Sequence, residues 1–255
     1  MRHTLPAAGG LLALVLLWDL GLRLGPPSLL PSPLEVARAI AGLAADGRLV
    51  RHLVASLFRV TWGFLGGVAL ALPVGLLLGS ARRAELAFGP LVELLRPISP
   101  LAWIPLAILW LGVGDLAAVA IIFVASFLPF TLAVKNAVRA VPLVHLQAGR
   151  NFGLRGRALV TRVVLPAALP QLVVGLRLTL GIAWLVVVAA EMIAVSSGLG
   201  YLIIDSRNAG DRYDLVVAGM VLIGAAGLAL DAAVRRLERL PAFAWAPAGA
   251  GGEAA

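Results

Sequence analysis

Long runs of apolar side chains, separated by short stretches that carry arginine, constrain this chain more than any other feature of its sequence. A helix crosses the hydrocarbon core of a bilayer with about 20 mostly apolar residues, and it pairs its own backbone polar groups. The runs predict transmembrane helices at residues 7–24, 60–79, 97–113, 116–134, 170–190 and 215–230. We therefore expect an all-α polytopic membrane protein with about six transmembrane helices.

The composition excludes a soluble globular protein. Hydrophobic residues make up 61% of the 255 residues and charged residues only 13%, whereas roughly 25% is typical of soluble domains. The net charge of +8 comes from arginines between the apolar runs rather than from one basic patch, so no nucleic-acid partner is expected. The chain has no cysteine, which excludes disulfides, thiolate metal ligands and cysteine nucleophiles.

The basic residues that flank the runs predict the orientation in the membrane. With the N-terminus inside, thirteen of the 21 basic residues fall on the cytoplasmic side and seven fall outside, as the positive-inside rule requires. Both termini are therefore expected in the cytoplasm. The first run lacks a small-x-small cleavage site, so we expect an uncleaved span rather than its alternative, a secretory signal peptide.

The same pattern predicts three parts of the chain. Residues 1–59 hold the first span and an outer amphipathic segment, in which residues 25–59 suit short helices at the membrane interface. Residues 60–240 form the membrane core and include a cytoplasmic loop at 135–166. Residues 241–255 are expected to be a disordered tail.

No arrangement of residues suggests catalysis, metal binding or a cofactor. The lone lysine, Lys135, follows Val134, so the chain lacks the Gly-Lys-Ser/Thr phosphate loop and any ATP must be bound by another subunit. The histidines fall in predicted loops without the spacing of a metal site: His3, His52 and His145. The carboxylates in or near the spans are scattered: Asp19, Glu191 and Asp231. We expect a protein that is not an enzyme.

Three residues of the fifth span are candidates for a translocation path. Charged side chains inside a membrane tend to face the bundle interior or a water-filled cavity. Arg177 is such a side chain, but it could instead extend to the inner interface. Glu191 lies close enough to the outer end to be a structural partner for a helix end, and Trp184 could serve packing alone.

Small residues recur every fourth position along the second span. They form one smooth helix face: Gly63, Gly67, Ala71, Gly75 and Gly79. Such faces let two helix backbones approach closely in lipid. The stripe predicts tight helix packing, within the subunit or between subunits.

The most specific motif lies between the fourth and fifth spans. Residues 147–153 read Gln-Ala-Gly-Arg-Asn-Phe-Gly, and after nine residues the chain continues Val163-Val164-Leu165-Pro166. We name residues 147–166 the signature loop. It resembles the loop of ABC importer permeases, written Glu-Ala-Ala, three residues, Gly, nine residues, Ile, one residue, Leu-Pro. The spacing matches at every step, although Gln147 stands where Glu is usual and Gly149 where the second Ala is usual.

The resemblance implies a type I ABC importer permease fold and a coupling role for this loop. In that family the loop forms a short helix that docks into a groove on a separate ATP-binding subunit. The residues implied in this contact are Gln147, Ala148, Gly149, Gly153, Leu154, Leu165 and Pro166. A second implied partner is an extracytoplasmic substrate-binding protein, and the permease is expected to be a homodimer in the lipid bilayer of the bacterial inner membrane.

Further stretches resemble the nitrate, sulfonate and taurine branch of these permeases. They include residues 56–60, 95–107, Gly175-Leu176-Arg177, Glu191-Met192-Ile193 and 197–201. The resemblance implies import of a small polar or anionic solute. Two alternatives from other classes are an ion-driven secondary carrier that uses Glu191 and an intramembrane enzyme.

Overall fold

The computed structural model describes residues 4–24, 30–210 and 212–238, and within these ranges it is helical without a β-strand. The helices are α1 Thr4–Leu24, α2 Pro33–Ala45, α3 Arg48–Ser80, α4 Arg82–Leu95, α5 Ile104–Leu111, α6 Asp115–Arg139, α7 Leu143–Asn151, α8 Gly156–Leu159, α9 Leu165–Ala194, α10 Leu199–Asn208 and α11 Tyr213–Glu238. A 3₁₀ turn, Pro100–Trp103, precedes α5, and a π-helical turn, Val160–Val164, joins α8 to α9. The predicted tail at 241–255 lies outside the described residues.

Several helices are long and apolar enough to cross a membrane. Four qualify by themselves: α3, α6, the continuous stretch Gly156–Ala194, and Tyr213–Arg236 of α11. A fifth span is possible if α4 and the Pro100–Leu111 segment, bent by 88°, count as one. Helix α1 has 21 residues, about 30 Å of helix, and is not counted among these spans. The expected all-α polytopic fold is confirmed.

The predicted third span at 97–113 is wrong as a single helix. Only Ile104–Leu111, eight residues, is α-helical there, and a helix of this length reaches about 12 Å. The physical reason is proline: Pro97, Pro100 and Pro105 cannot donate the backbone hydrogen bonds of a continuous helix. The Pro100–Leu111 segment instead follows α4 at an angle of 88°, and the two together make the bent pair.

Helix α3 begins twelve residues before the predicted start of the second span. It runs over 33 residues from Arg48 to Ser80, about 50 Å, so the expected boundary between residues 59 and 60 falls inside a helix. The prediction counted Arg59 and His52 as loop residues, but both are buried in α3. Arg59 has carboxylate partners on α6 and α9, and His52 accepts from the Gly198 N–H just before α10, so the helix can carry both side chains where they are buried.

Helix α2 is the amphipathic helix expected before α3. Its start is fixed by a capping box, in which Ser32 Oγ accepts from the Glu35 N–H and the Glu35 carboxylate accepts from the Ser32 N–H at 2.7 Å. The Ser32 N–H and, at 3.0 Å, the Ser32 Oγ both donate to the Glu35 carboxylate, and these two bonds lower the pKa of Glu35. Helix α2 packs its buried side on α11 and α3.

The core of the molecule is the packing of α3, α6 and α9. The small-residue stripe of α3 faces α6: a Cβ added at Gly63 would lie 2.6 Å from the Ile122 Cβ, and one at Gly75 would lie 2.5 Å from the Val134 Cβ. Both distances are shorter than real Cβ contacts. The stripe therefore packs within the subunit, and it fixes the register of α3 against α6.

The polar stretch predicted from Lys135 begins later than expected. Helix α6 continues to Arg139, and Lys135 is a buried helical residue with 7% exposure. Its Nζ lies 3.1 Å from Glu85 Oε1 and 3.8 Å from Glu93 Oε1. The two α4 carboxylates supply the opposite charge that a buried lysine requires, so Lys135 can be part of helix α6.

Candidate functional site: the signature loop and a buried polar cluster

A cluster of charged and polar groups, mostly buried, joins α3, α6, α9 and the segment before α10. We name it the Arg59 cluster; its side chains are His52, Ser56, Arg59, Asp115, Glu191 and Ser197. The Arg59 Nη1 donates to Glu191 Oε1 at 2.7 Å, and the exposures of the two side chains are 2% and 0%. The Arg59 Nε donates to Asp115 Oδ1 at 2.8 Å. The buried charges of Arg59 and Glu191 neutralise each other in a place that water does not reach.

The cluster also fastens the segment between α9 and α10. Arg59 donates to the Ser197 carbonyl at 2.7 Å and to Ser197 Oγ at 2.6 Å. The Leu199 N–H donates to Ser56 Oγ at 2.9 Å, and the Gly198 N–H donates to His52 Nδ1 at 3.1 Å. Residues on one face of α3 thus hold both the end of α9 and the start of α10.

Glycine is required where this segment passes the Glu191 carboxylate. Gly198 has φ 111°, which L side chains rarely adopt, and a Cβ there would lie 2.2 Å from Glu191 Cδ. At Gly200 a Cβ would lie 2.3 Å from the Val188 carbonyl oxygen, and the Gly200 N–H donates to Glu191 Oε2 at 3.0 Å. The two glycines let the backbone come close enough to bind the carboxylate.

Sequence reasoning found one member of this cluster and missed the others. Glu191 was a candidate, whereas Arg59, Ser56 and His52 were placed in the outer amphipathic segment that precedes the second span. The four-residue register of the stripe was a usable signal, because four positions before Gly63 is Arg59. Extending the register would have placed the arginine on the buried face of α3.

The other path candidates lie at a different place on α9. Arg177 binds Asp231 of α11, with Nη2 donating to Oδ2 at 3.2 Å, and Arg235 joins the same carboxylate at 2.8 Å. The Trp184 Nε1 donates to the Ile223 carbonyl at 3.1 Å. Both residues border a cavity of about 190 Å³ between α9 and α11. Glu191 is not among its lining residues.

Helix α7 of the signature loop ends in a defined C-terminal cap. Gly153 has φ 80°, its N–H donates to the Arg150 carbonyl at 2.9 Å, and the Leu154 N–H donates to the Gly149 carbonyl at 3.0 Å. This pair of bonds is the Schellman motif, which places glycine in the left-handed conformation just past the helix. The spacing of the motif thus corresponds to one short helix and its stop.

The two faces of α7 differ in exposure. Gln147 and Ala148 are exposed, whereas Gly149 is buried, and a Cβ on it would lie 2.8 Å from Leu159 Cδ1. Gly149 therefore lets α7 pack on the chain that returns to α9, a role that helix propensity alone did not suggest.

The signature ends where the chain joins α9. Leu165 and Pro166 are half-buried at the start of that helix. The preceding turn, Val160–Val164, is π-helical. Its wider spacing accommodates Pro166, whose ring would clash with the carbonyl four residues earlier in an α-helix.

The exposed surface at the two ends of α7 carries large apolar side chains as well as arginines. Leu143, Val144 and Phe152 are 72%, 71% and 87% exposed. Exposed apolar side chains with a polar or charged rim are typical of protein interaction sites. Three arginines close to these side chains in sequence are exposed and can supply such a rim: Arg150, Arg155 and Arg157.

Comparison with known families decides among the function classes. Residues 71–241 match the family described as binding-protein-dependent transport system inner membrane component. The chain belongs to this family. Members of this family are transport permeases of the inner membrane and not enzymes, which confirms that expectation.

Individual relatives of this permease agree with the family match. A putative ABC transporter permease protein of Methanocaldococcus jannaschii is 39% identical over 244 residues, 93% of this chain and 89% of its own length. A putative aliphatic sulfonates transport permease protein of Bacillus subtilis is 35% identical over 228 residues, 89% and 82% of the two chains. The predicted resemblance to the nitrate, sulfonate and taurine branch is confirmed.

A solved structure supports the fold of the permease. In the MetNI methionine ABC transporter, determined in inward-facing conformations, a chain matches with a TM-score of 0.60 and 26% identity, covering 75% of this chain and 96% of that chain. The type I importer permease fold expected from the signature loop is therefore present.

Proposed function

We propose that this permease forms the translocation path of a bacterial ABC importer for a small anionic solute, and that α7 couples it to a separate ATP-binding subunit. The observation that carries the proposal is the capped helix of the signature loop, which leaves Gln147, Ala148 and three large apolar side chains exposed. A groove on a partner subunit would cover this surface. The sulfonate relative of Bacillus subtilis supports an anionic solute.

The partners follow from the same proposal. An ATP-binding subunit docks on α7, with Gly149, Gly153, Leu154, Leu165 and Pro166 shaping the contact. A substrate-binding protein delivers the solute on the opposite side of the membrane. Two copies of the permease form a homodimer, and both termini lie in the cytoplasm. The ATP-binding subunits bind ATP, and the permease itself needs no cofactor.

The predicted path residues divide into two groups under this proposal. Arg177 and Trp184 line a cavity of about 190 Å³ and can contact solute there. Glu191 is held by Arg59, Ser56 and Gly200 with no exposed surface, so its role is to hold helices together. No observation favours an ion-driven carrier, because Glu191 has no access to solvent through which to exchange a proton.

Reconstitution tests the proposal. The purified chain should hydrolyse no ATP, and the complex with its ATP-binding subunit should hydrolyse ATP faster when a loaded binding protein is added. The control is a Walker-lysine variant of the ATP-binding subunit, which must abolish the activity. Solute uptake by the chain alone in proteoliposomes, driven by an ion gradient, would overturn the proposal in favour of a secondary carrier.

A further inference from the structure

A second and larger cavity lies on another side of the bundle. Its volume is about 580 Å³, and its walls come from the end of α4, the 3₁₀ turn, α6 and α9. Sites for small molecules have volumes of about 300 to 1,000 Å³. The cavity is therefore large enough for a small solute with some water.

The cavity has an apolar wall and a polar end. The wall consists mainly of Leu128, Leu132 and Ile182, and the polar end carries Arg96 and Asn136 beside Glu93 and Lys135. A few polar groups that converge on an otherwise apolar pocket are what orient a ligand. Pro100 and Pro129 also line the cavity, and neither has a backbone N–H that it could donate.

The charges at the polar end leave one cation without a counter-charge. Lys135 is 7% exposed and faces Glu85 and Glu93, and Arg139 also pairs with Glu85. Arg96 is exposed, and no carboxylate of the described residues lies within ion-pair distance of it. Of the charged residues that line the cavity, Arg96 and Lys135 therefore stand against Glu93, and the excess positive charge is at the cavity.

The position of the cavity along α6 places it in one half of the membrane. The Asp115 end of α6 contacts the Arg59 cluster, and the Arg139 end leads to α7. The lining residues of α6 run from Val124 to Asn136, which is about 18 Å of helix toward α7. In the orientation proposed above, this is the cytoplasmic half.

We propose that this cavity is an inner solute site that binds an anion, with Arg96 and Asn136 on the anionic group and Leu128, Leu132 and Ile182 along a short apolar tail. A sulfonate or similar oxyanion with a small aliphatic group has this chemistry, since guanidinium binds oxyanions through paired N–H donors. The inference rests on the proposed function and adds to it the residues that contact the solute.

The absence of native cysteine allows a direct test of the charge in this cavity. Leu132→Cys is reacted in membrane vesicles with two thiol reagents of similar size, sulfonatoethyl methanethiosulfonate and its trimethylammonium counterpart. Both rates are divided by those for a free small thiol. The anionic reagent should react faster, and Arg96→Gln should lower the ratio of anionic to cationic rates about threefold to tenfold.

Two controls separate a local effect from a general one. Arg83→Gln removes an exposed cation of the same helix, α4, outside the cavity, and should leave the ratio unchanged. Phe152→Cys, on the exposed tip of the signature loop, should show a ratio that Arg96→Gln does not alter. Ethanesulfonate at millimolar concentration should slow labelling of Leu132→Cys but not of Phe152→Cys.

The outcomes distinguish the site from the function. A lack of preference for the anionic reagent, a ratio insensitive to Arg96→Gln, or no reaction of Leu132→Cys with either reagent would overturn the site. If the preference is present but the chain assembles with no ATP-binding subunit, the proposed function fails while the anion site stands. If the complex imports solute and Arg96→Gln changes neither uptake nor the labelling ratio, the site fails alone.

Discussion

At the scale of single residues, the Arg59 guanidinium neutralises Glu191 and binds Ser197 in a space closed to water. Arg59→Met would leave a buried carboxylate without its counter-charge, and breaking a buried pair from one side costs about 3–5 kcal/mol. We expect a clearly lower Tm for the purified protein in detergent. The double variant Arg59→Met/Glu191→Leu should recover part of the loss, because the only carboxylate it leaves without Arg59 is Asp115, which is 60% exposed to solvent.

The matched control is the other carboxylate on the same guanidinium. Asp115 is 60% exposed, and exposed ion pairs contribute about 0–1 kcal/mol. Asp115→Asn should therefore change the Tm little. Equal losses for Asp115→Asn and Arg59→Met would mean that burial does not set the strength of this cluster.

At the scale of elements, two adjacent glycines of α3 offer a matched pair. A Cβ on Gly67 would lie 2.7 Å from the Ser126 Cβ and 2.9 Å from the Phe123 carbonyl oxygen, whereas at Gly66 the nearest atom is 3.4 Å away. Gly67→Ala should destabilise the protein by about 1–3 kcal/mol, since backbone must move. Gly66→Ala should be neutral or stabilise it by up to about 1 kcal/mol through helix propensity. Thermal unfolding measures both, and similar effects at both positions would contradict the packing of α3 on α6.

The end of α7 allows a test of backbone conformation without steric interference. Gly153 has φ 80° and no atom within 4 Å of an added Cβ. Gly153→Val should cost about 1 kcal/mol or more in local conformation, and Gly153→Asn less, since asparagine tolerates the left-handed region. Co-purification with the ATP-binding subunit should fall for Gly153→Val while membrane insertion stays intact. Unchanged co-purification would remove this cap from the coupling contact.

At the scale of the whole molecule, the topology predicts which loops face which compartment. Val113→Cys, at an exposed turn between α5 and α6, should react with an impermeant maleimide in intact cells. Phe152→Cys should react only after the cells are opened, because the positive-inside rule places the arginine-rich loop in the cytoplasm. The reverse pattern would invert the orientation and place both termini outside.

Local patterns in the sequence predicted those features that residues close together in the chain determine by themselves. The period of four from Gly63 to Gly79 required only the geometry of one helix. Arg59, Asp115 and Glu191 are 56 and 132 residues apart in the pairs they form. No periodicity reports such contacts, so charged side chains were assigned to loops, which shortened α3 and α6. The prolines at 97–105 were visible in the sequence, but their combined effect depends on α4, which forms the first half of the bent pair.

The separation of Arg59 from Glu191 also has a consequence for biosynthesis. Glu191 leaves the ribosome 132 residues after Arg59, which at about 5–20 residues per second is roughly 7–26 s later. During that interval the guanidinium has no carboxylate from α9, and Asp115 is synthesised first. Membrane insertion of α3 must therefore depend on its uncharged part after Arg59. The first stretch of α3, with its arginine, gains its full set of partners only when the nascent α9 arrives.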